Sequence, residues 1–150
     1  MAEDPSAIGL LPQPFVTAAC MQNEQLAVVM DLNEEWGKVS EDGSKMVTGV
    51  TVVRKEFREK NPKAVETFIE EHTTSVATVL NDSEHAATLA VEQGIVAKEP
   101  IAMKAIPKCN LVCITGEEMK SSLSGYIQSL NDFNPELTGG IPDDDFYFVK

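Results

Sequence analysis

Residues Ala7-Ile8-Gly9-Leu10-Leu11 run without a break into Pro12-Gln13-Pro14-Phe15 and then into an apolar stretch from Val16 to Met21. So short an apolar run reads as a buried strand. The prolines that follow it start a helix: Pro14 suits the first helical turn, where its missing N–H costs nothing. A strand whose carboxyl end passes straight into a helix is where open α/β sheets hold ligands. Gln13 is the one long polar side chain at this junction, next to the free N–H groups of a helix start. Gln13 is therefore a candidate ligand-binding residue, with an ordinary loop between strand and helix as the alternative. A buried strand needs a neighbour on each side, and almost no chain precedes this one. The expectation is a chain that starts partway through a larger sheet.

Three further apolar runs read as strands. Leu26 to Leu32 is short and carries a β-branched pair, Met46 to Val53 is dense in Val and Thr, and Asn110 to Ile114 is a shorter extended segment. Runs without polar alternation suggest strands covered on both faces, as in parallel sheets. Asn33 to Trp36 can form a short helical turn, and Ser40 to Lys45 a polar loop around an Asp-Gly pair. Gly49 within a strand hints at a bend or a close backbone approach. That makes Thr48 and Gly49 a candidate hinge or crossover, with a plain strand glycine as the alternative.

Beyond residue 54 the pattern turns helical. Lys55 to Lys60 allows a helical turn, and Asn61-Pro62 is a helix start with Asn as cap and Pro at the first position. Val65, Phe68, Ile69, Val76, Val79 and Leu80 then share one helical face. Asp82 or Ser83 caps a second helix that Gly94 ends. Glu99 to Ile106 is a third helix, stopped by Pro107. Thr115 caps a fourth, with Glu117 and Glu118 in the first turn, where the helix dipole favours them.

The chain has 150 residues and a net charge of −12. That size suits one domain or part of a larger one. The charge, with no Lys/Arg cluster, argues against nucleic acid as a partner. Three cysteines, Cys20, Cys109 and Cys113, make neither a metal pattern nor a disulfide framework and read as small buried hydrophobes. No signal peptide is visible. His72 and His85 read as structural or solvent-facing, and Trp36 as packing. Asp143-Asp144-Asp145 reads as a solvated acidic turn after Pro142, or as a docking contact that orders the tail. No cofactor motif, metal motif or catalytic constellation is present, so a binding protein is favoured over an enzyme.

Ile8-Gly9-Leu10-Leu11-Pro12-Gln13-Pro14-Phe15 resembles a segment of the substrate-binding proteins of ABC transporters, in the branch that takes sulfonates and thiamine precursors. Thr48 to Phe57 followed by Asn61-Pro62-Lys63-Ala64-Val65 and Phe68, and then Asp82-Ser83-Glu84-His85-Ala86-Ala87, resemble later segments of that branch in the same order. The resemblance implies an α/β fold: the C-terminal part of a two-lobe Venus-flytrap, or type 2 periplasmic binding protein, with a small, mostly parallel sheet and several helices. Residues 1–46 would end the second lobe. Residues 47–150 would supply the hinge crossing and the C-terminal helical part of the first. It further implies non-catalytic capture of a small-molecule ligand in an interlobe cleft, an ABC transporter permease as partner, and an extracytoplasmic location, periplasmic or as a membrane-anchored lipoprotein. Pro12, Gln13, Pro14, Thr48 and Gly49 would face the cleft.

Two alternatives stay open. One is an enzyme on the same scaffold, of the kind that makes thiamine-pyrimidine or menaquinone precursors. The other is a stand-alone module that forms a homodimer to cover an unpaired strand edge.

Overall fold

The computed structural model describes residues 7–149, and among them the fold is all-helical, with no strand and no sheet. The expected α/β architecture is therefore corrected. The segments read as strands carry no regular secondary structure and are largely exposed: Ile8 is 95% accessible, Val29 88% and Val52 75%. No backbone hydrogen bond is made by residues 7–11, 46–53 or 110–114 with any other described residue. Their side chains have the β-branched and apolar character of strands. A strand, however, exists only when a neighbour supplies donors and acceptors for its backbone. None does here, so the second half of the strand signal is missing.

The described chain divides into two compact units. The first holds residues 7–28 and Lys55–Cys113, and the second holds Val29–Arg54 and Ile114–Val149.

In the first unit, α1 (Phe15–Gln22), α3 (Lys55–Lys60), α4 (Pro62–Asn81), α5 (Ser83–Glu92) and α6 (Glu99–Ala105) follow in chain order, and α6 runs into a 3-10 turn at Ile106–Lys108. Among α1, α4, α5 and α6, side-chain capping is seen at α5 alone. Pro62 opens α4, although the Asn61 side chain donates to the Phe57 carbonyl and does not cap α4. The Asp82 carboxylate accepts from the His85 N–H at 3.0 Å and so caps α5. Gly94 closes α5 at φ +70°, a left-handed conformation that an L side chain rarely adopts. The core is made of small residues. Ala87 and Ala102 are fully inaccessible, with Ala86 and Ile106 beside them. Methyl-sized side chains let α5 and α6 approach closely, and Val79, Ala90 and Val96 close the edges of the cluster.

In the second unit, α2 (Leu32–Val39) and α7 (Gly116–Phe133) are the main helices, followed by α8 (Pro135–Thr138) and a 3-10 turn at Asp144–Phe146. Asp31 caps α2 by accepting from the Asn33 N–H at 2.8 Å. Trp36 meets Tyr126 edge to face at 5.0 Å and donates its indole N–H to the Ser44 carbonyl at 3.2 Å. Its packing role is thus the one expected from the sequence.

The turn between Ser40 and Ser44 is held by Asp42. Its carboxylate accepts from the Ser40 hydroxyl at 2.8 Å and the Ser44 N–H at 2.9 Å. The Ser44 hydroxyl, then the Ser44 N–H, then the Ser40 hydroxyl push the Asp42 pKa down to about 2. A carboxyl whose folded pKa is depressed favours the folded state above its unfolded value, near 4. That contribution is lost as pH falls through about 2. The turn should therefore be flat in stability from pH 7 to 5 and weaken from about pH 4 downward. Following Trp36 fluorescence through an acid titration checks this, and Asp42→Asn should flatten that part of the profile.

The tail is tied back to α7. Lys120 pairs with Asp144 at 2.7 Å and lies 5.9 Å from the centre of the buried Tyr147 ring. Asp144 of the acidic run therefore ties the chain's end to α7. Burial raises the Tyr147 phenol above its ordinary range.

Candidate functional site

The corner at Pro12-Gln13-Pro14 opens α1, with the Val16 N–H donating to the Pro12 carbonyl and the Ala18 N–H to the Pro14 carbonyl at 3.2 and 3.0 Å. Pro14 takes the cap position, and the Gln13–Pro14 peptide is cis. Gln13 is half-buried, and its Oε1 accepts from the Thr17 hydroxyl at 2.7 Å. This bond joins residues four apart, one turn along the helix. It fixes the amide with its Nε2 end turned to other partners, and no described residue takes those N–H donors.

Thr17 is 5% accessible and forms part of the floor of an open depression of about 470 Å³. Cys20, Met21 and Glu24 continue this wall along α1 and just past its end, at the spacing that keeps side chains on one face. Lys104 of α6 and Lys108 of the 3-10 turn form the opposite wall. The depression thus carries a hydroxyl, a thiol, a thioether, one carboxylate and two ammonium groups. It offers hydrogen bonding and positive charge to a small polar or anionic molecule.

Thr48 and Gly49 lie in the other unit, on the exposed irregular segment between Lys45 and Arg54. A Cβ added at Gly49 would meet open space, so no close backbone approach demands a glycine there. Of the five expected site residues, Pro12, Gln13 and Pro14 form one corner in the first unit, and Thr48 and Gly49 belong to the second unit.

Lys104 and Lys108 were not legible in advance. Their spacing of four was visible, but only the packing of α6 beside α1 makes it a wall. The three cysteines are half-buried and unpaired. Cys20 lines the depression, the Cys109 thiol donates to the Ala105 carbonyl at 3.2 Å, and Cys113 lies 3.3 Å from the Thr73 hydroxyl. Burial raises the Cys109 thiol pKa. His72 stacks on Phe68, with ring centres 5.6 Å apart, a packing role. Among the described residues no group of side chains has the makings of a metal site, and no helix is long and apolar enough to cross a membrane.

Comparison with protein-family models, with curated proteins and with solved structures finds no match to this chain.

Proposed function

We propose that the chain captures a small solute without transforming it, as part of the solute-binding component of an ABC importer that works outside the cytoplasm and hands its ligand to a permease. The observation that carries this reading is the Gln13 corner. A half-buried amide is fixed by Thr17 with donors left over, at the head of a helix whose next turns line an open depression of mixed polar and apolar character. Such a group recognises and does not react. The sequence likeness of the three ordered segments supports the same reading, without carrying a sheet architecture along with it.

A panel of small carboxylates, sulfonates, pyrimidines and amino acids, screened by thermal shift and quantified by calorimetry, tests the proposal. One of them should stabilise the protein. Gln13→Ala should then weaken that solute about tenfold, the scale of one hydrogen bond of roughly 1.4 kcal/mol, with the free protein still folded although less stable through the freed Thr17 hydroxyl. Unaltered affinity removes Gln13 from the site. A panel in which nothing binds, extended to further solute classes with the same result, removes the capture function.

A further inference from the structure

The depression between α1 and α6 carries charge of both signs on facing walls. Glu24 stands just past the end of α1, and Lys104 and Lys108 stand opposite, all three within the first unit. None of these side chains makes an ion pair with another described residue, although acidic residues outnumber basic ones 24 to 12 in the chain. Lys104 and Lys108 are about one helical turn apart, so their ammonium groups repel each other and no carboxylate offsets them. Glu24 reaches neither lysine. Opposite charges left apart across one opening are matched by a solute that carries both.

The groups between the charges suit an apolar span. Cys20 and Met21 line the wall between Thr17 and Glu24, and a thiol and a thioether are soft, adaptable surfaces for methylene groups. Thr17, at the floor, gives its hydroxyl proton to Gln13 and keeps lone pairs for an incoming donor. The opening of about 470 Å³ falls within the range of small-molecule sites.

The charge of the whole chain narrows the choice. At −12 it repels a net anion on approach, whereas a solute with one acid and one ammonium is neutral and meets no such barrier. A dicarboxylate would also set its second carboxylate against Glu24, and a diamine would set an ammonium against the lysines. A solute that holds acid and ammonium on one carbon can satisfy only one wall at a time.

We infer that the depression takes an ω-amino carboxylate, a small aliphatic solute with its acid at one end, held by Lys104 and Lys108, and its ammonium at the other, held by Glu24. This rests on the capture reading above and names the class of solute captured.

Calorimetry on the whole chain with δ-aminovalerate, its isomer norvaline, glutarate and cadaverine tests the assignment. Norvaline moves the ammonium beside the acid, and the other two each replace one end group. δ-Aminovalerate should bind about tenfold more tightly than any of the three, the scale of one charge-assisted hydrogen bond. Glu24→Lys should turn the ranking in favour of glutarate, and Lys104→Glu with Lys108→Glu in favour of cadaverine. All three positions are exposed, so helical circular dichroism should be retained. Should a reversal unfold the chain, Glu24→Gln and Lys108→Gln serve instead, and each should weaken δ-aminovalerate about fivefold. Failure of δ-aminovalerate to bind, binding no tighter than norvaline, or a ranking indifferent to the charge changes would each overturn the inference. If another solute then binds and Gln13→Ala weakens it, the capture reading stands alone; if no solute binds, both fall. Binding of δ-aminovalerate that follows the charge changes but ignores Gln13→Ala upholds the inference and removes Gln13 from the site.

Discussion

Gly125→Ala should lower the stability of the unit built on α7 by about 1–2 kcal/mol, enough to move its melting temperature down by several degrees. A Cβ at this position would stand 2.6 Å from Asp42 Oδ2 and 2.7 Å from the Ser44 Cβ. The carboxylate could turn aside. The Ser44 Cβ cannot, because Ser44 is held through its N–H by Asp42 and through its carbonyl by Trp36. Alanine in a helix interior gains up to ~1 kcal/mol over glycine, and the clash must exceed that for the net effect to be a loss. Ser44→Gly should remove most of the penalty when combined with Gly125→Ala, which is a coupling that a double-mutant cycle reads directly. A melting temperature that rises on Gly125→Ala would show that the Ser40–Ser44 turn does not seat on α7.

Ala102→Leu should be more severe in the other unit, at about 2–3 kcal/mol in urea unfolding. Ala102 and Ala87 are fully inaccessible where α5 meets α6, so three added carbons have no room and must force the helices apart. Leucine on an exposed site nearby, Ala97→Leu, should shift stability by less than about 0.5 kcal/mol. The same substitution has a functional readout. Because α6 bears Lys104, its displacement should also disturb the depression it shares with α1.

The helices were legible in the sequence because their signals are local. Asn61-Pro62, Asp82, Gly94 and Thr115 mark boundaries within a turn of where the structure puts them, although of the side chains expected to cap, Asp82 makes its bond and Asn61 and Thr115 do not. The strands were not, because a strand's existence depends on a partner elsewhere. Val50 and Val52 carry the right side chains, yet nothing in their own neighbourhood supplies a ladder. The site divides the same way. Gln13 stands out from its place between two prolines before a helix. Lys104 and Lys108 look like any surface pair until α6 is laid beside α1. Thr48 and Gly49 were linked to Gln13 by the family likeness, and their place in a separate unit could not be seen from their own residues.

The Ser40–Ser44 turn and the Lys45–Glu118 ion pair bind segments 73 residues apart to one helix, whereas α3, α4, α5 and α6 pack largely on their neighbours in the chain. Loop closure is paid before such distant partners reward it, so the two units should differ in the time they take to form. The alanine-packed helices should appear early, as soon as α4 to α6 have been made. Trp36, which reports on the distant closure, should reach its native fluorescence only in a later phase.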